Sequence, residues 1–387
     1  MSSNVTTKPK SKRIDELDMA KGIAIFSVVL IHLSEVAGVN VHNQKLFFLF
    51  TLMTEVTMGM FFLCSGYVFK MKGSVMEEIT KRFKQIMLPY YKTILIITAM
   101  YYPMYVMTSK IDLSVYIDKS ISNLLAIVNY SVLQGKIDVN ILCYGYVPLW
   151  FMVEIFMAFC LLMPVASYLK DKGITTHLVA MAAFLGMAML MTVYDPQGNL
   201  ANTYNSTTSF YFVGINIFGF AGLLLLGHIL KKFSFFELDA QSNSYIYGMF
   251  AASVIVYFGV YSQYSWMGYA MQFGRWGQYG CWSILVTSIA AIAFTYMLVC
   301  ICRVLTKAAA VKDVLLFLGT NTLTILLWHY FTAELIANLG GFWRPVYFTP
   351  VPAEEYSFTR FVWLVAATLA TITAYIKVKD HMALKKA

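Results

Sequence analysis

Apolar runs of about twenty residues recur along the whole chain, and no other feature limits its folding so strongly. A run of that length crosses a hydrocarbon core of about 30 Å as a single helix. Composition points the same way. Of the 387 residues, 59% are hydrophobic and 13% charged, with a mean hydropathy of +0.64. Soluble domains run at roughly 45–50% apolar and about 25% charged. The expectation is an all-α polytopic integral membrane protein.

The hydropathy pattern predicts about ten transmembrane helices, near 21–38, 46–69, 86–107, 147–169, 175–193, 211–230, 244–261, 279–302, 313–338 and 360–376. They form a single membrane domain, 21–376, between a basic N-terminal arm (1–20) and a basic tail (377–387). The arm carries Lys8, Lys10, Lys12 and Arg13 and shows no small-residue cleavage site, so a removed signal peptide is not expected. With the N-terminus inside, twenty-one of the 29 Lys and Arg fall in cytoplasmic segments and seven outside, with Lys92 within the third span. That bias matches the positive-inside rule and makes both termini cytoplasmic. The net charge of +9 therefore needs no nucleic acid to explain it.

The outer loops say less. In the longest, 108–146, Ile117, Ile121, Leu124, Leu125, Val128 and Val132 form one apolar stripe, suited to a helix lying on the membrane surface. The loops at 194–210 and 262–278 are rich in Asn, Gln, Tyr and Trp. They suit either a hydroxylated ligand such as a sugar or an interfacial aromatic belt. The six cysteines show no metal-ligand spacing, and no metal site is expected. No internal repeat is seen, which counts against a transporter built from inverted repeats.

Ionisable residues inside spans are costly and mark functional sites. His32 sits in the middle of the first span, LDMAKGIAIFSVVLIHLSEVAG, ten residues beyond Lys21. At about 1.5 Å per residue it lies roughly 16 Å from the Lys21 edge, near the midplane. Glu55, about nine residues into the second span, reaches roughly 14 Å by the same rise. A carboxylate there would orient the imidazole, or the two would form a structural polar contact between helices. Glu154 in PLWFMVEIF and His329 in LLWHYF are further buried candidates. His228 suits a helix-terminal role, while His42, His177 and His381 suit solvated positions. Among the motifs sought, no GxSxG, HExxH, P-loop or dinucleotide fingerprint is present. Chemistry would rest on a buried histidine able to take a proton near neutral pH and on basic inner loops suited to a phosphorylated donor.

Several segments together resemble the acyltransferase 3 family of integral-membrane acyltransferases. Lys21 and His32 fit its opening motif of a basic residue, ten residues and a histidine. FFLCSGYVF (61–69), KRFKQIMLPY (81–90), LWF (149–151) and LGTNTLTILLWHY (318–330) resemble its later motifs in order. Asp18, Lys21 and Gly22 match the Asp-x-x-Lys-Gly of its sugar or polysaccharide O-acetylase branch. The chain departs from the branch at Val56–Gly59, which lacks a second-span histidine, and at Glu154, four residues after Trp150 where some relatives have five.

The resemblance implies a multi-pass protein of the bacterial cytoplasmic membrane that acetylates a glycan or other hydroxylated acceptor. Acetyl-CoA is the implied donor, bound by Lys21, Asp18, Arg82, Lys81, Lys84 and Ser65. His32, with Glu55, is the implied catalytic group, acting as general base or as acyl carrier, and Trp150, Glu154 and His329 are the implied acceptor-site residues. Membrane lipids, a second copy of the chain or a separate acyl-accepting protein are the partners such a chain would have. The competing expectation is a channel or transporter for a small solute or lipid-linked glycan, lined by His32, Glu55, Glu154 and His329.

Overall fold

The computed structural model describes residues 13–54, 56–107, 112–124, 149–193, 210–264, 281–339 and 357–385. All regular structure among them is helical: α1 (Asp15–Val36), α2 (Gln44–Thr54), α3 (Thr57–Tyr67), α4 (Val75–Arg82), α5 (Leu88–Tyr101), α6 (Leu113–Leu124), α7 (Trp150–Leu169), α8 (Ile174–Val193), α9 (Phe210–Lys232), α10 (Asn243–Tyr264), α11 (Trp282–Leu305), α12 (Ala309–Thr320), α13 (Thr322–Leu339) and α14 (Phe358–Leu384). The protein is a polytopic membrane protein. Among the described residues six helices are long and apolar enough to cross a bilayer: α1, α7, α8, α10, α11 and α14. The bent pair α12–α13 supplies a seventh span if its two halves are taken together. Helices α2–α3, α5 and α9 occupy the other three expected positions without meeting that test.

Helix α1 is the hub. Its most apolar stretch is 61% buried within the protein, as is that of α11, against 22% for α8 and 17% for α10. An apolar helix covered on most of its surface belongs in the interior of a bundle. Helices α2, α11, α12, α13 and α14 all pack against it. The sequence permits the closest of these crossings through glycine. A Cβ on Gly22 would stand 2.2 Å from the Leu315 carbonyl oxygen, and one on Gly319 would stand 1.7 Å from that of Asp18. The absence of both side chains lets the backbones of α1 and α12 touch, as small residues do at membrane helix interfaces. Gly66 and Gly227 do the same for α3 against α9.

Two predicted spans are broken. The segment expected as one helix over 313–338 turns by 84° between α12 and α13. Asn321 makes the break. Its side-chain amide donates to the Phe317 carbonyl at 2.9 Å, closing α12. Its own carbonyl accepts from the Ile325 N–H at 3.0 Å, opening α13. The second span, expected over 46–69, is divided into α2 and α3, with a turn at Val56.

Between α3 and α5 the chain forms α4, which packs against α7. Ser74 and Glu77 form a reciprocal capping box at its start: the Ser74 hydroxyl accepts from the Glu77 N–H at 3.3 Å, and the Ser74 N–H donates to Glu77 Oε2 at 2.8 Å. Helix α6 provides part of the surface helix expected in 108–146, with Ile117 and Ile121 exposed. The rest of that loop, and nearly all of the two aromatic loops, lie outside the described residues. Helix α14 runs on to Leu384, so most of the expected tail continues the last helix.

Candidate active site

The bend at Asn321 sends α13 along α1 and brings together two histidines 297 residues apart. His32 Nδ1 lies 2.8 Å from His329 Nε2. The rings are stacked, with centroids 5.0 Å apart and planes 20° apart. Tyr330 meets the His32 ring edge-on at 6.1 Å. His329 is fully buried, while His32 keeps part of its surface open.

The hydrogen bonds assign the protons. His329 Nδ1 lies 3.0 Å from the Ile325 carbonyl oxygen and 2.9 Å from that of Leu326. Carbonyls only accept, so Nδ1 carries the hydrogen and, in a neutral ring, Nε2 carries the lone pair. His32 Nδ1–H must then donate to His329 Nε2, which leaves the lone pair of His32 on Nε2. Two backbone carbonyls thus set the tautomer of His32 through one intervening ring. The more open ring is the one left with a basic nitrogen.

The other expected site residues divide into groups. Lys21 Nζ pairs with Asp18 Oδ1 at 2.5 Å, and Arg13 approaches the other Asp18 oxygen at 3.5 Å. Lys312 binds Asp15 at 2.7 Å beside them. Ser65 lies half-buried on α3. Lys81 and Lys84, with Met76, Glu77, Thr80 and Gln85, line an open groove of about 490 Å³, and Lys81 pairs with Glu78 at 3.6 Å.

Arg82 borders that groove through Gln85, whose Oε1 accepts from its Nη1 at 3.5 Å. Its guanidinium turns inward, 4.4 Å above the Phe159 ring and 5.8 Å from that of Phe69. Burial lowers its pKa from the ordinary arginine value, and Glu78 offsets part of that. Glu154 is buried in α7 at 1% exposure. Trp150 begins the same helix. Glu55 lies outside the described residues.

One expectation is overturned: His177 is not solvated but 1% exposed, with Lys232 Nζ 2.8 Å from its Nε2. The His32–His329 contact is the feature the sequence did not announce. Its one signal was that both residues fall well inside apolar spans.

Residues 14–376 match the acyltransferase 3 domain family. The chain belongs to that family. No curated protein and no solved structure matches it. As a membrane acyltransferase, it transfers an acyl group. Among the described residues no group of His, Cys, Asp and Glu could hold a metal ion.

Proposed function

We propose that the protein is an O-acetyltransferase that moves an acetyl group from cytoplasmic acetyl-CoA to a hydroxyl of a cell-surface or lipid-linked glycan. The observation that carries this reading is the tautomer of His32, fixed through His329 so that Nε2 is the nitrogen able to take a proton. A hydroxyl of the acceptor gives its proton to His32 Nε2 as its oxygen attacks the thioester carbonyl. The tetrahedral intermediate collapses, the C–S bond breaks, and the thiolate leaves with the proton returned by the imidazolium. His32 ends as it began, and one ester has replaced one thioester. General base work of this kind contributes about 10²–10⁴-fold to rate.

The donor would enter at the Lys21 end of α1, and its thiol arm would follow α1 for roughly 16 Å to reach His32. The Asp18–Lys21 pair stands at the start of that path. The experiment is to compare acetylation of surface glycans by mass spectrometry in cells with the wild-type gene, with none, and with His32→Ala. Loss of the acetyl increment in the last two supports the assignment. An unchanged glycan on deletion rejects the acceptor class.

A further inference from the structure

Polar residues also lie on the far side of the histidine pair, where nothing on the donor path needs them. Two contacts fix the direction of α13. Gly319, just before the bend, packs against the Asp18 carbonyl at one end of α1, and His329 lies against His32 further along it. Helices α1 and α13 therefore climb together. Residues beyond His32 and beyond His329 lie on the side of the pair away from Lys21.

The two sides differ in chemistry. From Gly22 to Ile31, α1 has one polar side chain, Ser27, whose hydroxyl donates to the Ile23 carbonyl at 3.0 Å. Beyond the pair the character changes. Glu35 follows His32 by three residues, about one helical turn. On α13, Tyr330, Glu334 and Asn338 recur every four residues and so share one face. Tyr330 meets the His32 ring edge-on at 6.1 Å, which sets that face beside His32. Along it Glu334 stands about 6 Å beyond Tyr330, and Asn338 about 12 Å, from the helical rise. Glu334 is 5% exposed, whereas Glu35 and Asn338 keep more of their surface open.

A carboxylate inside a membrane bundle is costly and marks a functional position. Neither the tautomer of His32 nor the donor path calls on Glu334. A carboxylate accepts hydrogen bonds, and an Asn side chain both accepts and donates. Together they suit a ring that carries several hydroxyls. One hydroxyl would meet His32 Nε2 while its neighbours bond to Glu334 and Asn338. A site built to bond a hydroxyl rejects a ligand that lacks it, because its buried polar groups then forgo those bonds.

We propose that Glu334 and Asn338 on α13, with Glu35 on α1, form an acceptor site that receives a polyhydroxylated ring from the end opposite Lys21, with Glu334 as its main specificity determinant. This rests on the acyl-transfer reading and adds to it the residues that hold the acceptor.

The test uses the full-length protein in nanodiscs, which leave both faces open to solution. Acetyl-CoA is the donor, and the surface glycan fraction from cells lacking the gene is the acceptor. Both KM values are measured for the wild type, Glu334→Gln, Glu334→Asp and Asn338→Leu. Glu334→Gln should raise the KM for the glycan by about tenfold or more, the loss of one charge-assisted hydrogen bond, with the KM for acetyl-CoA unchanged. Glu334→Asp, which keeps the charge, should recover part of the loss. Asn338→Leu should raise the same KM by a smaller factor, and it carries the test if the buried change at Glu334 disturbs folding. A wild-type KM for the glycan in both Glu334→Gln and Asn338→Leu overturns the proposal. A parallel rise in both KM values in those two variants also overturns it, since that marks a structural role. A wild type that acetylates no glycan defeats the acceptor class of the transfer reading, and the site with it. Normal acetylation with unchanged KM values in the variants defeats the site alone.

Discussion

Replacing His329 with phenylalanine keeps a ring of similar size in α13 but removes the acceptor facing His32. In the wild type, the wrong tautomer of His32 would forfeit the 2.8 Å hydrogen bond and set two lone pairs against each other. A buried hydrogen bond contributes about 0.5–1.5 kcal/mol net, and a buried polar group left unsatisfied costs about 1–3 kcal/mol. The tautomer bias is thus about 1–3 kcal/mol, which at 1.36 kcal/mol per decade is roughly 5- to 150-fold in the ratio of the competent tautomer to the other. Without the bias the two tautomers become comparably populated, so the expected result is a fall in kcat of a few-fold; the KM for acetyl-CoA should not change, because the proposed donor path places its phosphates at the Lys21 end of α1. The assay is thiol release from acetyl-CoA by proteoliposomes given the surface glycan fraction. His329→Gln, whose amide oxygen can accept from His32 Nδ1, should recover part of the loss. Wild-type turnover in His329→Phe would refute the reasoning, as would an effect confined to KM.

Other expectations follow from the inner end of the bundle. Lys21→Ala should raise the KM for acetyl-CoA and lower thermal stability, since it strips the buried Asp18 carboxylate of its 2.5 Å partner. Adding Asp18→Asn should restore the melting temperature but not the KM, and both are read on the purified protein. Gly319→Ala forces a methyl group to within 1.7 Å of the Asp18 carbonyl oxygen and should cost about 1–3 kcal/mol, seen as a lower unfolding temperature in detergent. Ser74→Ala removes one half of the α4 capping box and should cost about 1 kcal/mol of local stability, seen as faster amide exchange in α4 with little change in turnover.

The sequence carried much of this architecture, and the places where it fell short have physical causes. Periodicity and charge are local, so the apolar spans and the depth of His32 could be counted along the chain. The break at Asn321 could not, because it depends on α12 lying backbone-to-backbone on α1 at Gly22 and Gly319. Without that break α13 would not carry His329 to His32, and a contact spanning 297 residues leaves no trace in local pattern. Arg82 was grouped with Lys81 and Lys84 by proximity in sequence, yet neighbouring positions on a helix face different ways, and Arg82 turns inward onto Phe159. His177 looked solvated because it flanks a span. Hydrogen bonds to Gly173 and Lys232 let a neutral imidazole be buried there.

The proposed transfer depends on one nitrogen, Nε2 of His32. The most direct measurement is acetyl transfer by purified His32→Ala in proteoliposomes, with CoA binding measured on the same sample. We predict a loss of transfer of about 10²-fold or more, the general-base contribution, with CoA affinity unchanged. Transfer at the wild-type rate by a variant that still binds CoA would contradict it.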